Sequence, residues 1–160
     1  MSNDGFNIKG NFSWKHFDSD GNLLDMGSTP NRVCDTLRDC VIEGIYAGSM
    51  PYPVSMAIGT GIGQAVTDNT LSSLSSYENS SGTNWTISQP SAAKYQCVST
   101  FTATGTWAIT EAGMFTVATS VSSMCVYDDS ITVNMTSGDT LQGTWTIQTV
   151  SYTHLRAHET

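Results

Sequence analysis

The last third of the chain contains the pattern that most constrains the fold, a segment in which apolar or small side chains alternate strictly with polar ones. The apolar or small positions are Leu141, Gly143, Trp145 and Ile147, and the polar positions are Gln142, Thr144, Thr146 and Gln148. Because successive side chains of a β-strand point to opposite faces of its sheet, this alternation predicts a strand with one buried and one solvated face. Strands of this kind are typical of antiparallel sheets.

A predicted turn at Ser137-Gly138-Asp139 comes directly before this strand, and Ile131-Thr132-Val133 comes before the turn. The earlier segment either pairs with the strand after the turn or starts a neighbouring strand. About seven to nine short segments of the chain have strand-like patterns at the spacing of a sandwich. We therefore predict a mainly β protein, an antiparallel β-sandwich of jelly-roll or immunoglobulin-like form with a single helix.

The predicted helix is amphipathic and lies near residues 31–47. Thr29 suits the N-cap position, and Pro30 suits the first position inside a helix. The apolar positions that recur every four residues are Val33, Leu37, Val41 and Ile45. This spacing gives the helix one apolar face, and we expect the helix to end near Gly48.

Residues 6–27 are predicted to form a hairpin whose turn is the acidic segment 18–22. Asp-Gly pairs favour tight turns between strands. The same segment resembles a fragment of a calcium loop, but an EF-hand requires glycine at its sixth position and a bidentate glutamate at its twelfth. Here Gly21 falls at the fourth position and Thr29 at the twelfth, so the turn is the better interpretation. His16 is expected at a surface position of the first strand.

A glycine run, Gly59-Thr60-Gly61-Ile62-Gly63, follows a strand predicted at 54–58, which itself follows a break at Pro51-Tyr52-Pro53. A glycine-rich loop after a strand is a feature of dinucleotide-binding proteins. However, the spacing here differs from G-x-G-x-x-G, and no amphipathic helix follows to bind phosphates. We therefore interpret the run as a tight exit from the strand.

Residues 68–91 are rich in Ser, Asn and Thr. They are predicted to form surface loops around an edge strand near Trp85-Thr86-Ile87, with Leu71 and Leu74 as local apolar anchors. Because binding residues are concentrated on loops supported by a rigid scaffold, these loops and Asp128-Asp129 are the candidate contacts for a partner.

Glu111 lies in the segment Phe101–Phe115, which is predicted to contain two short strands and to turn at Gly113. It is the one acidic residue between Glu78 and Asp128. We expect its carboxylate to accept hydrogen bonds from backbone N–H groups that the turn leaves unpaired. A catalytic role would require a second ionisable group, and the neighbouring sequence supplies none. No catalytic, cofactor-binding or metal-binding residue is predicted anywhere in the chain.

The composition argues against two classes of partner. The 160 residues include 14 acidic and 6 basic side chains, for a net charge of −8. Binding to nucleic acid or to anionic membranes requires clustered Lys and Arg, so neither partner is expected. No apolar run approaches the roughly 20 residues of a membrane-spanning helix, and the polar start of the chain does not resemble a signal peptide.

The C-terminal residues do not fit the rest of the chain. Residues 151–160 match the translation of a DNA sequencing adapter, which indicates a metagenomic open reading frame. We interpret residues 149–160 as a non-native tail and residues 1–148 as a single β-rich domain. His154 and His158 are four residues apart and could be mistaken for a helical metal pair, but both lie in this tail.

The four cysteines are expected to be reduced and buried. Cys34 and Cys40 are about 9 Å apart along the axis of the predicted helix, which is too far for a disulfide. Cys97 and Cys125 lie in strand-like segments and could pair, although reduced thiols are the simpler prediction.

Several motifs occur together in an order that carries a family resemblance. They are Ala57-Ile58-Gly59-Thr60-Gly61, Ile109-Thr110-Glu111-Ala112-Gly113-Met114-Phe115, Ile131-Thr132-Val133, Ser137-Gly138-Asp139-Thr140-Leu141 and Trp145-Thr146-Ile147. Over most of residues 6–148 the chain resembles a group of small tailed-bacteriophage proteins from viral metagenomes. This resemblance implies a virion structural protein of the tail, neck or head-appendage kind, with no catalytic residues to transfer. Relatives often have a basic residue where this chain reads Tyr127-Asp128-Asp129, so a contact made by that residue is not expected here.

The favoured hypothesis is a phage virion component that associates with copies of itself or docks to other virion proteins, in a virion assembled in the host cytoplasm. A surface with few charges suits such contacts, because charges are costly to desolvate. The alternative is a β-sandwich that binds glycans or a cell surface through Trp85, Tyr77 and Tyr95 as stacking platforms. These aromatic residues are more simply explained as core or edge packing. A hydrolase is a remote third hypothesis, because the sequence has no Ser-His-Asp set and no paired carboxylates.

Overall fold

The computed structural model describes residues 6–47, 53–116 and 123–151. Gly48, Pro51, Tyr52 and most of the C-terminal tail, all named in the sequence predictions, lie outside the described residues. The elements in chain order are β1 (Phe6–Phe17), β2 (Leu23–Pro30), β3 (Arg32–Val33), α1 (Asp35–Ala47), β4 (Ser55–Gly59), β5 (Leu74–Asn79), β6 (Trp85–Ser91), β7 (Lys94–Thr102), β8 (Trp107–Ile109), β9 (Glu111–Phe115), β10 (Met124–Asp128), β11 (Val133–Met135) and β12 (Thr140–Ser151).

These strands form two large antiparallel sheets. The first sheet has the order β2-β1-β12-β7-β6, and the second has the order β3-β10-β9-β4-β5. A separate pair, β8 and β11, is also antiparallel. The predicted mainly β, antiparallel sandwich with one helix is therefore confirmed. The described residues contain twelve strands rather than seven to nine, and β3 and β5 are among the strands that no sequence pattern indicates.

The main core lies between the two sheets and includes side chains from both. The first sheet contributes Phe12, Phe101, Leu141 and Trp145, and the second contributes Met56, Ile58, Met114 and Val126. The rings of Phe12 and Trp145, on neighbouring strands, have centroids 4.7 Å apart. The alternation predicted for the last strand is confirmed, since Leu141, Gly143 and Trp145 are buried and Thr144 is partly exposed.

The predicted first hairpin is also confirmed. β1 and β2 pair antiparallel, and the turn between them is closed by Asp18, whose Oδ1 accepts hydrogen bonds from the backbone N–H groups of Asp20 (2.9 Å) and Asn22 (2.8 Å). Gly21 has a φ of 85°, in the region that favours glycine. Hydrogen bonds from the Asn22 side chain and backbone lower the pKa of Asp18.

The predicted start of the helix is wrong. Thr29 and Pro30 belong to β2, where they pair with β1, and Arg32–Val33 forms β3. The helix begins at Asp35. Pro30 is tolerated because it ends an edge strand, where a missing N–H breaks no ladder bond. Sheet pairing has therefore overridden the local N-cap signal.

The second sheet is buried on both faces at its centre. Every residue of β4, β9 and β10 is buried, and one face contributes a second apolar cluster. The members of this cluster are Cys34, Ala57, Leu71, Phe115, Met124 and Tyr127. The turn predicted at Gly113 is wrong, because Gly113 lies in the middle of β9. A Cβ atom there would lie 3.1 Å from the side chains of Leu71 and Met124, so the position is closely packed.

Two predictions for the Ser-rich region need correction. Residues 68–91 contain two strands, β5 and β6, each at the edge of a different sheet, rather than one edge strand among loops. Leu71 is buried as predicted, but Leu74 is 46% exposed and is not part of either buried cluster. β5 was missed because its sequence, Leu-Ser-Ser-Tyr-Glu-Asn, has no apolar alternation.

The segment before the last turn does not pair with the last strand. Val133 begins β11, which pairs with β8 through Val133 and Ile109. Of the two alternatives left open by the sequence, the neighbouring strand is therefore the one that forms. β12 continues through Ser151, which pairs with Phe6, so the proposed domain boundary at residue 148 falls inside a strand.

The prediction of reduced, buried cysteines is confirmed. Cys34, Cys40, Cys97 and Cys125 are all free and buried. Cys97 lies in β7 of the first sheet and Cys125 in β10 of the second. Burial raises the pKa of the Cys34 thiol to about 11, and burial also raises the pKa values of Cys97 and Cys125.

The packing of β12 can be tested with two substitutions on the same strand. Leu141→Ala should lower the free energy of unfolding by about 2–5 kcal/mol, because it leaves a cavity beneath a fully buried side chain. Gln148→Ala, at an exposed position, should change it by less than about 0.5 kcal/mol. Urea denaturation followed by circular dichroism measures both, and equal effects would contradict the assignment of the two faces.

Candidate functional site

Among the residues that the structure describes, the buried carboxylate with the most hydrogen bonds is that of Glu111, the first residue of β9. Its side chain is fully buried. Oε1 accepts hydrogen bonds from the backbone N–H groups of Gly61 (3.0 Å) and Ser73 (2.8 Å), and Oε2 accepts one from Ser72 (3.1 Å). The predicted role of Glu111, a carboxylate that accepts from backbone donors, is confirmed. The donors come from a distant segment rather than from a local turn.

That segment, residues 60–73, connects β4 to β5 and is called the cover segment below. It has no helix or strand and lies against the face of the second sheet that points away from the first. Its backbone is joined to the rest of the fold at further points: Val66 O accepts from Asp35 N (3.0 Å), and Asn69 O accepts from Met124 N (3.1 Å). Leu71 supplies its apolar contact with the sheet.

The close approach of Glu111 explains two glycines of the Gly59–Gly63 run. A Cβ atom on Gly59 would lie 2.3 Å from the backbone oxygen of Ser73 and 2.5 Å from Glu111 Oε1. A Cβ atom on Gly61 would lie 2.2 Å from the Ser72 Cβ and 2.6 Å from the same carboxylate oxygen. Only glycine lets the backbone come this near. The glycine run therefore forms the exit from β4, as predicted. Gly59 and Gly61 also leave room for the Glu111 carboxylate.

Tyr127 completes the surroundings of Glu111. Its hydroxyl lies 3.5 Å from Glu111 Oε2, and burial raises the pKa of Tyr127 to about 12. The Arg32 guanidinium lies 5.5 Å from the centre of the Tyr127 ring. With both carboxylate oxygens occupied by backbone donors, the arrangement is suited to holding the cover segment in place.

A second buried polar pair connects the end of β1 to the turn before β12, the strand that pairs with it. His16 Nε2 in β1 lies 3.2 Å from Asp139 Oδ2, in the turn before β12. The same Asp139 oxygen accepts from the backbone N–H (2.7 Å) and the hydroxyl (3.1 Å) of Thr136. The Thr136 backbone bond is the main cause of the lowered pKa of Asp139, and the His16 contact lowers it further.

The prediction that His16 occupies a surface position is wrong, because the residue is only 5% exposed. Its partner is 123 residues away in the sequence, so no local pattern could identify the pair. One signal was present: His16 is in phase with Phe12 and Trp14, and alternate residues of a strand share a face. That alternation places His16 on the inner side.

The acidic residues suggested as partner contacts are engaged within the fold. Asp128 is buried and accepts hydrogen bonds from the Thr29 hydroxyl and from Ser130 N (2.7 Å). Asp129 forms an ion pair with Arg32 (2.6 Å). Asp68 Oδ2 accepts from Ala65 N (2.7 Å), within the cover segment.

The three aromatic residues suggested as glycan platforms differ in exposure. Trp85 and Tyr95 are partly buried and pack against the main core. The Tyr95 hydroxyl also donates to the backbone oxygen of Pro53 (3.0 Å). Tyr77, on β5, is 41% exposed. Tyr77 lies on β5 of the second sheet, whereas Trp85 and Tyr95 lie on β6 and β7 of the first.

A groove of about 520 Å³ lies between α1 and the first sheet and is called the helix groove below. Its apolar lining includes Ile8, Leu37, Val41, Ile87, Tyr95 and Ile147. Lys94 is the one charged residue among the described residues that line it. The lining contains neither of the two buried polar groups described above, Glu111 with Tyr127 and His16 with Asp139.

No group of three or more His, Cys, Asp or Glu residues suitable for a metal ion occurs in the part of the chain that the structure describes. Among residues 6–47, 53–116 and 123–151, no helix has the length and apolar character needed to cross a membrane. Neither a family model, nor a curated protein, nor a solved structure matches the chain.

The role of Glu111 can be tested with Glu111→Gln. An amide can place its oxygen near Gly61 N and Ser73 N, but its NH₂ group then faces the Ser72 N–H and leaves that part-buried donor without its acceptor. We expect a loss of about 1–3 kcal/mol in the free energy of unfolding. Glu78→Gln, at a partly exposed position of β5, is the matched control and should cost less than about 0.5 kcal/mol. Similar losses in both variants would contradict the role assigned to Glu111.

The lowered pKa of Asp139 predicts an acid-sensitive contribution to stability. The contribution of Asp139 to the free energy of unfolding is fully present above the unfolded-state pKa of about 3.9. It is lost as the pH falls through the folded-state pKa. Asp139→Asn should therefore flatten the fall in unfolding free energy measured below about pH 4. Asp39→Asn, on the exposed side of α1, removes one negative charge elsewhere and should leave that slope as in the original chain.

Proposed function

We propose that the protein is a structural component of a bacteriophage virion, of the tail, neck or head-appendage kind. It acts by associating with copies of itself or by docking to other virion proteins, and it catalyses no reaction. Its place is the virion, assembled in the host cytoplasm, and it has no nucleic-acid or membrane partner.

The observation that best supports a docking role is the exposed edge strand β2. It forms one edge of the first sheet and exposes Leu23, Leu24 and Met26, the last at 65%. Its one charged residue is Asp25. Edge strands of proteins that stay monomeric are usually protected by charges, bulges or covering loops. An apolar, weakly charged edge favours contact with another chain.

The family resemblance supports the same proposal. Its motifs fall on the central strands, with Ala57-Ile58-Gly59 in β4, Glu111–Phe115 in β9 and Trp145-Thr146-Ile147 in β12. These segments contribute to the core and hold the cover segment, so they are the positions that a family with this architecture would keep. The family's role in the virion is then the simplest role for this chain.

Two further observations favour docking over the other hypotheses. The carboxylates of Glu111 and Asp139 are already occupied by hydrogen bonds from backbone N–H groups, which leaves them poorly placed to act on a substrate. A glycan platform has less support, because Trp85 and Tyr95 pack against the core.

Association with virions can be measured in the virus-sized fraction of the sample from which the sequence derives. Particles would be purified on a density gradient, and peptides of this chain quantified by mass spectrometry beside those of capsid proteins. We expect the chain to follow the capsid proteins across the gradient in a constant ratio. Peptides confined to the soluble or cellular fractions would contradict the proposal, as would a genomic neighbourhood without portal, capsid or tail genes.

A further inference from the structure

The first sheet is the positively charged part of an acidic protein. The chain has a net charge of −8, yet its three lysines, Lys9, Lys15 and Lys94, all lie in strands of this sheet. The one acidic residue in the strands of the same sheet is Asp25 of β2. Its carboxylate accepts a hydrogen bond from the backbone N–H of Met26 (2.8 Å). The strands of the first sheet therefore have the opposite sign of charge from the chain as a whole.

The strand register places the lysines on the outer face of the first sheet, away from the main core. Lys9 and Lys15 are at odd positions of β1, whereas Phe12, which belongs to the main core, is at an even position and points to the other face. Lys94 is in the same cross-strand row as Lys9, since both pair with Gln148 of β12. As the first residue of β7, Lys94 also borders the helix groove.

A hollow of about 540 Å³ lies on this outer face and is called the polar hollow below. The side chains that form it come from three adjacent strands, β2, β1 and β12, and stand in two cross-strand rows. One row is Ser28, Ser13 and Thr144, and the other is Met26, Lys15 and Gln142. Because neighbouring strands are about 4.8 Å apart, each row spans about 10 Å. The polar hollow is therefore wide enough for a ligand with one or more rings.

Several polar groups of the hollow have no partner within the described residues. The Lys15 ammonium, the Gln142 amide and the Thr144 hydroxyl make no hydrogen bond or ion pair there. Hydroxyl and amide groups both donate and accept hydrogen bonds, as the hydroxyl groups of a sugar do. Met26, which is 65% exposed, adds an apolar surface beside them. A lining of this kind, with a single cation, is suited to a sugar that bears an acidic group.

The spacing of the lysines favours a polysaccharide over a nucleic acid. Lys9 and Lys15 are six residues apart on β1, which corresponds to about 20 Å along the strand. Double-stranded DNA has one negative charge per about 1.7 Å of helix axis, so its binding depends on many clustered cations. The outer-face residues of β1 between the two lysines, Asn11 and Ser13, are uncharged. Cations this far apart match a polymer in which neutral hydroxyl groups separate the acidic groups.

We propose that the outer face of the first sheet binds an acidic polysaccharide that lies along β1 and β12. Lys15 pairs with a carboxylate or sulfate group of the sugar in the polar hollow, and Gln142 and Thr144 exchange hydrogen bonds with the hydroxyl groups of that sugar. Lys9 contributes a second positive charge further along the polymer. This binding goes beyond the proposed virion role and does not depend on it, because the ligand is a polysaccharide rather than a second protein chain.

The binding test uses the full chain and four probes. They are an oligomer of galacturonic acid, its uncharged methyl ester, a sulfated dextran oligomer and a single-stranded DNA oligonucleotide with the same number of charges. Isothermal titration calorimetry measures the Kd of each. We expect the two acidic oligomers to bind, and the methyl ester to bind about tenfold more weakly than its acid, because it loses two or three exposed ion pairs.

Variants locate the binding on the first sheet. Lys15→Gln should weaken binding of the acidic oligomers about threefold, and the double variant with Lys9→Gln should weaken it about tenfold. Arg38→Gln, the matched control, removes the same charge from α1 and should leave the Kd within about twofold. All three positions are exposed, so the fold should be retained, which circular dichroism checks. In a nuclear magnetic resonance titration, the amide signals of Ser13 and Thr144 should shift and those of β4 should stay in place.

Three results would overturn this proposal. The first is the failure of both acidic oligomers to bind at millimolar concentration. The second is tighter binding of the oligonucleotide than of either oligomer, which would assign the face to nucleic acid. The third is equal weakening by Lys15→Gln and Arg38→Gln, which would attribute binding to net charge alone. None of these results bears on the proposed function, which fails separately if the chain is absent from purified virions.

Discussion

The structure depends most on the contact between the Glu111 carboxylate and the backbone of the cover segment. Burying a carboxylate costs several kcal/mol in lost hydration. Three hydrogen bonds from backbone N–H groups, each worth about 1.5–3 kcal/mol to a charged acceptor, offset that cost. Through these bonds a segment without helix or strand is held over the second sheet. The apolar cluster around Leu71 and Phe115 is then shielded from water on its outer side.

This contact also explains why the second sheet differs from the first. A sheet with one wet face shows alternating side chains, as β12 does. The strands β4, β9 and β10 are covered on both faces and have nearly continuous apolar or small residues instead. Gly113 belongs to this buried set. In the sequence alone, a glycine after Glu111 and Ala112 resembles turn chemistry, because nothing local indicates the segment that covers it.

The features that could be predicted from the sequence are those that a local pattern determines. The alternation of Leu141 to Gln148 and the Asp18–Asn22 turn depend on neighbouring residues, and both are present in the structure. Of the predicted apolar face, Leu37 and Val41 lie in α1, whereas Val33 belongs to β3. The features that were missed depend on partners far along the chain. Thr29 and Pro30 have the chemistry of a helix start, but they lie in the edge strand β2, where they pair with β1. His16 is buried and contacts Asp139. For Glu111 the type of partner could be predicted, although its location in residues 61–73 could not.

The buried polar contacts and the exposed apolar residues have different consequences for function. The buried carboxylates of Glu111 and Asp139 join distant parts of the fold, and the proposed docking role depends on the exposed apolar residues of β2. A surface with few charges suits the proposed docking, because few charges are desolvated when two such surfaces meet.

The central claim, that Glu111 fixes the cover segment as part of the folded core, is tested most directly by amide hydrogen exchange of the native protein. The account predicts that the amides of Gly61, Ser72 and Ser73 exchange as slowly as those of the central strands β4 and β9, because all must wait for the same opening of the fold. Exchange of these three amides at the rate of an exposed loop, while β4 and β9 remain protected, would contradict it.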